Sequence, residues 1–272
     1  MNSILSKEDY EEPQCLLNMH PGVTAIPVGR IMEKLDAYLD KKDYASAERH
    51  LNYWLSEAET GHDSRGRLAV LNEQIGLYRK TDRQADCLRA IDSALALSAS
   101  ADTENTVTCA TTCINAATGF KAFGRAQKAL PLYEKARDIY ERLLPPDDGR
   151  LGGLYNNMAL TLAELGEYSR AEELYLKAAD IMSLQENGAL ETAITYLNLA
   201  DLALQKLGPE ASEKITGQYL ERAETLLDSP DLPRNGYYAF VCEKCAPVFG
   251  YYGYFLTERE LKRRAESIYE GT

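Results

Sequence analysis

Between Leu154 and Ile181 the apolar and small residues recur every three or four positions: Tyr155, Met158, Ala159 and Leu162, then Ala171, Leu174, Tyr175 and Ala178. That spacing places each set on one face of an α-helix. The pattern is interrupted at Gly166, a residue with the backbone freedom that a tight helix–helix turn needs. The segment therefore reads as two amphipathic helices closed into a hairpin. Short side chains at Ala159, Ala171 and Ala178 let the two helices approach closely, while Tyr155, Leu162 and Tyr175 fill the space between hairpins.

The hairpin repeats. A shift of 42 residues upstream falls on Ala117, Phe120, Gly124, Ala129, Tyr133 and Ala136, matching in residue type throughout. Another 42 gives Ile75, Tyr78, Asp82, Cys87, Ile91 and Ala94, and a further 40 gives Leu35, Tyr38, Ala47, Leu51 and Trp54. Downstream, Leu199, Ala200 and Ala203 open a unit that closes on Leu220 and Ala223; an insertion around Gly208-Pro209-Glu210-Ala211 is expected to stretch its turn by about four residues. A last unit uses Ala246, Phe249, Gly253 and Ala265. The expectation is an all-α chain of about six hairpins, near 30–59, 65–98, 106–144, 150–184, 189–228 and 235–270, after a non-repetitive segment 1–29. Pro145-Pro146-Asp147-Asp148-Gly149 is the strongest stop signal, and Asp or Asn after several breaks can cap the following helix.

Composition narrows the function. Over 272 residues the net charge is −12, which argues against nucleic acid and against an anionic membrane surface. No stretch approaches a membrane span, and the start MNSILSKEDYEEPQ lacks the basic and apolar runs of a signal peptide, so a cytoplasmic location is expected. Cys15, Cys87, Cys109, Cys113, Cys242 and Cys245 do not read as a disulfide framework. Cys242-x-x-Cys245 resembles half a zinc site, but the repeat register matches these positions to the core residues Tyr155 and Met158. Cys113 also matches Tyr155. There is no phosphate-binding glycine loop and no nucleophile–base constellation, so neither an enzyme, a metal nor a cofactor is expected.

The pattern around Ala159, Gly166, Tyr168, Ala171, Tyr175 and Ala178 resembles the tetratricopeptide repeat. The 42-residue spacing and the Asn156-Asn157-Met158-Ala159 start are similar to the longer variety found in kinesin light chains and in bacterial peptide-sensing regulators. The resemblance covers roughly residues 30–270. Trp54 in the first unit, and Glu258 and Lys262 in the last, depart from it in ways that suit end units. It implies a right-handed superhelical solenoid whose first helices line a concave groove for a protein or peptide ligand.

Within that register Asn115, Asn157 and Asn198 occupy one equivalent position on consecutive units. The resemblance implies that this position faces the groove, and an amide that both donates and accepts matches a peptide unit. The other reading is that each asparagine bonds a neighbouring helix and fixes its register. Further expected groove residues are Asn72, Asn156, Arg79, Lys80, Lys121, Asp201 and Lys244, with Thr111 and Leu197 beside them; Arg79, Lys80 and Lys121 can form a basic patch for a carboxylate. The tyrosine-rich stretch from Tyr237 to Phe255 reads as packing of the last hairpin, or as a surface for self-association. The segment before the first hairpin is too short for a DNA-binding module and reads as a tail or a cover on that hairpin, or as an extended segment that lies in a groove and competes with ligand. Three functions stay open: a non-catalytic protein- or peptide-binding scaffold, a peptide-gated regulator acting through protein contacts, and a structural subunit of an oligomer.

Overall fold

A computed structural model describes residues 22–99 and 104–271. Among them are twelve α-helices in six consecutive pairs: α1 (Val28–Asp40) with α2 (Tyr44–Thr60), α3 (Ser64–Lys80) with α4 (Gln84–Ser98), α5 (Val107–Ala122) with α6 (Ala126–Leu143), α7 (Gly149–Glu164) with α8 (Tyr168–Ser183), α9 (Ala189–Leu207) with α10 (Pro209–Leu227), and α11 (Gly236–Tyr251) with α12 (Phe255–Glu270). This is the organisation of a repeat solenoid of about six hairpins. The chain forms two compact units of three hairpins each, one up to Leu143 and the other from Leu144.

Five of the six hairpins close in the same way. Lys42, Asp82, Gly124, Gly166 and Gly253 take positive φ, between 55° and 85°. The next N–H then donates to the carbonyl five residues back: Asp43 to Tyr38, Arg83 to Tyr78, Arg125 to Phe120, Glu167 to Leu162 and Tyr254 to Phe249, all at 2.8–2.9 Å. This satisfies carbonyls that the ending helix leaves open and reverses the chain within three residues.

The fifth hairpin differs from expectation. Instead of a stretched turn, α9 runs to Leu207 and α10 begins at Pro209, with Gly208 at φ 82° as the sole linker. The inserted residues extend the helices, each 19 residues long against 16 in α7 and α8. Proline at the first helical position with Glu210 behind it starts a helix at once, so the insertion is absorbed as helix.

Side-chain caps begin the first helices of several hairpins. Asp63 accepts from Gly66 N–H, Thr106 from Cys109 N–H, Asp148 from Arg150 N–H, and Asn235 from the N–H groups of Tyr237 and Tyr238. Asp63 also accepts from Ile26 N–H at 2.9 Å, while Thr24 N–H donates to Gly61 O at 2.8 Å. Ile26 is buried with Ile31, Leu35 and Leu51, so residues 24–26 cover the first hairpin. The groove-competing role expected of the N-terminal segment falls largely on residues outside those described.

First and second helices of the pairs are built differently. Within the units α3 packs on α5, α7 on α9 and α9 on α11, so these first helices touch their own partners and each other. They are buried around much of their circumference: α5 covers Cys109, Ala110, Thr111, Thr112, Cys113, Ile114, Ala116 and Ala117 without a break larger than one residue. Second helices are one-sided; α8 buries only Ala171, Tyr175, Ala178 and Ala179. Cys87, Cys109, Cys113, Cys242 and Cys245 are all buried, as their register requires. Burial pushes the Cys245 thiol up to about 12, so it stays protonated and packs as a small apolar residue.

Candidate functional site

The groove residues expected from the register lie on the first helices, and the structure separates those whose polar groups are already engaged from those that are not. In the unit up to Leu143, Asn115 on α5 is half-buried, and among the described residues its amide makes no hydrogen bond. Asn72 on α3 is different. It is buried, and its Nδ2 donates to Thr112 Oγ1 on α5 at 3.1 Å. Thr112 in turn donates to Thr108 O at 3.0 Å, whereas Asn72 Oδ1 has no partner among the described residues. Thr111, expected beside the groove, is buried and shares a 2.8 Å hydrogen bond with the Tyr140 hydroxyl on α6. Its side chain thus ties a hairpin together.

Arg79 and Lys121 hold the same repeat position in the last turns of α3 and α5, where cations complement the carbonyl ends of the helices. Burial draws the Arg79 guanidinium below its ordinary value, with Tyr133 and Cys87 as its titratable neighbours. Lys80 is exposed and lies over the Tyr44 ring, 5.6 Å from its centroid.

In the unit from Leu144, Asn157 on α7 repeats the state of Asn115: half-buried, with no side-chain hydrogen bond among the described residues. Asn198 does not. Its Nδ2 donates to Asn156 Oδ1 across the α7–α9 contact at 3.2 Å, joining residues 42 apart. Leu197, expected in the groove, is buried. Asp201 near the middle of α9 accepts from the Tyr252 hydroxyl at 2.8 Å, and Glu191 at the start of α9 accepts from the Tyr237 hydroxyl. Burial raises the pKa of both carboxyls; for Asp201 the tyrosine bond partly offsets it. Lys244 on α11 is exposed, 5.7 Å above the Phe240 ring, which itself stacks on Tyr237.

The tyrosine–carboxylate pairs were not found from the register. They join residues 46 and 51 apart, off the repeat period, so no template position announces them. The aromatic tail divides: Tyr238 and Phe249 are in the core, while Tyr251, Phe255 and Leu256 stand exposed around the α11–α12 turn. Among the described residues no three His, Cys, Asp or Glu side chains are grouped as metal ligands, and no helix is long and apolar enough to cross a membrane.

With this geometry in place, the repeat can be set beside known ones. Residues 109–148 and 152–182 match the tetratricopeptide repeat model, a repeat family that is typically non-catalytic and generally binds proteins. The fold is similar to that of BtubC (BKLC) from P. vanneervenii, with a TM-score of 0.66 at 21% identity over 76% of this chain and 84% of that one. It is also similar to kinesin light chain repeats of Podosopora anserina, described as nearly identical TPR-like repeats, with a TM-score of 0.56 at 15% identity over 74% of this chain and 94% of that one. No curated protein sequence matches the chain.

Proposed function

We propose that this chain of tetratricopeptide repeats is a non-catalytic scaffold that binds a protein or peptide segment on the face of its first helices. The observation that carries the reading is the matched state of Asn115 and Asn157. They stand 42 residues apart in sequence, at one repeat position, one in each unit. Both are half-buried, and neither amide is engaged within the protein among the described residues. A half-buried amide without a partner inside the protein keeps its donor and acceptor open for an incoming peptide unit, which can pair with both. Asn156 and Asn198 then act on the other side of the division, holding α7 and α9 in register. Arg79, Lys80 and Lys121 give the first helices of the unit up to Leu143 positive charge, and Lys244 adds a cation in the unit from Leu144.

The test is affinity capture from native lysate with the parent and the Asn115→Ala/Asn157→Ala double variant, with circular dichroism as the folding control. Loss of a specific partner by a fully helical variant is expected. An identical partner list would retire the asparagines as ligand contacts. The Asn198→Ala variant, whose amide is bonded inside the protein, should lower melting temperature more than it alters capture.

A further inference from the structure

The last hairpin, which carries none of the three asparagines, holds a second polar constellation, independent of the function proposed above. The connection from α10 to α11 and the C-terminal half of α12 enclose an open cleft of about 600 Å³, lined by Arg234, Tyr238, Arg263, Arg264, Ser267 and Ile268 among others. Three guanidinium groups on one cleft stand out in a chain of net charge −12.

Tyr238 organises them. Its ring is fully buried, and its hydroxyl donates to Leu227 O at the end of α10 at 3.1 Å. Arg234 stacks on the ring face, Cζ 4.2 Å from the centroid, and donates to Leu227 O and Ser229 O at 3.4 and 3.2 Å. Arg264 donates to the same tyrosine hydroxyl at 3.1 Å. One buried ring therefore fixes two guanidinium groups on the same cleft, which removes part of the ordering cost of a shared ligand.

The existing partners indicate what ligand would gain. Arg264 pairs with Asp228 at 2.6 Å and Glu260 at 2.9 Å, and Arg263 pairs with Glu260 at 2.7 Å. Arg234 has no carboxylate partner among the described residues; two backbone carbonyls occupy part of its donor fork. A monocarboxylate arriving at Arg264 would exchange one carboxylate for another. A dianion with three terminal oxygens can bridge Arg234 and Arg264 at once and leave Glu260 on Arg263. Asp228 is half-exposed, so its release into water costs little.

We propose that this cleft is an anion-binding subsite for a phosphate dianion, held between Arg234 and Arg264 across Tyr238. The chemistry fits a phosphorylated side chain of a protein partner and also free phosphate.

The full chain, labelled with nitrogen-15, is titrated with inorganic phosphate and separately with N-acetyl-phosphoserine amide, against acetate at matched ionic strength. Saturable shifts of the Arg234 and Arg264 Nε–H signals are expected with both phosphates and absent with acetate. Arg234→Gln should weaken binding about tenfold, the size of one charge-assisted contact. Lowering pH from 7 to 5 should weaken binding of the phosphoserine probe by about the same factor, because the monoester dianion becomes a monoanion near pH 6. Tighter binding of the phosphoserine probe assigns the site to modified protein, and equal or weaker binding assigns it to free phosphate; either upholds the subsite. Acetate shifts equal to those of phosphate, absence of saturation, or an unaffected Arg234→Gln variant overturns it. So does binding to phosphatidic acid vesicles with neither soluble phosphate bound. Should Arg234→Gln lose its helical signal, Arg264→Lys, which keeps the charge but not the planar fork, is read in the same way.

Discussion

The two units use the same hairpin but join their first helices with different chemistry. Where α3 meets α5 the contact is nearly dry: Asn72 and Thr112 form a buried pair, and a side chain on Gly119 would stand 3.4 Å from Ile75 Cγ2. Where α9 meets α7 and α11 the contact is polar and partly open, with Asn198 on Asn156, Tyr237 on Glu191 and Tyr252 on Asp201. The repeat prescribes where helices meet but leaves the means of joining them to each pair. A dry contact is intolerant of new polar groups, and a wet one tolerates them because water supplies missing partners.

A charge placed on a first helix of each unit gives the sharpest test of that difference. Ala117→Asp, at a fully buried position of α5, should cost about 4 kcal/mol or more, since an unpaired carboxylate is forced into the core. Asn156→Asp retains the acceptor for Asn198 and should cost less than about 0.5 kcal/mol. Urea denaturation measures both; similar losses would dissolve the contrast. Next in size, Thr112→Val leaves both polar atoms of Asn72 without partners and should cost about 1–3 kcal/mol. Asn198→Ala should cost roughly 0.5–1 kcal/mol, with water replacing the lost bond. The turns serve as a control. Gly124→Ala and Gly166→Ala, one in each unit, should each cost about 1 kcal/mol for a left-handed alanine. Unequal values would mean that the units differ in more than their first-helix contacts.

The smallest effect is one of pH. Asp201 has its carboxyl raised by burial, so the folded chain holds that proton more tightly than the unfolded chain does. Such a group stabilises the fold when protonated, and the contribution is lost as pH rises from the unfolded value through the folded one. Asp201→Asn keeps an acceptor for the Tyr252 hydroxyl and removes the buried charge. It should therefore melt higher than the parent at pH 7, with the gain shrinking toward pH 4. A gain that grows on acidification would reverse the assignment.

Much of this was legible in the sequence because it depends on spacing. The positions of Ala159, Ala171 and Tyr175 announce the hairpin, and the register alone places Cys242 and Cys245 in the core, where both are buried. Spacing could not reveal how far around a first helix burial extends, so Thr111 and Leu197 were assigned to a face that neighbouring helices cover. Nor could it tell Asn157 from Asn198: the two share a repeat position, and only the placement of Asn156 opposite Asn198 makes one a tie and leaves the other unengaged. Gly208-Pro209 illustrates a third limit. An insertion counted by length looks like a loop, yet proline after a left-handed glycine continues as helix.

The five alike turns bear on how such a chain assembles. Each closes on a carbonyl five residues away, and none of the side-chain ties between first helices described above spans more than 51 residues. Contacts this local avoid most of the loop-closure penalty that slows folds with distant strand pairing. A hairpin can therefore be gained by duplication without rewriting remote parts of the chain, and folding can spread from whichever hairpin forms first. Pulled from its ends, such a chain would be expected to yield hairpin by hairpin, each release of 42 residues adding roughly 140 Å of extended polypeptide.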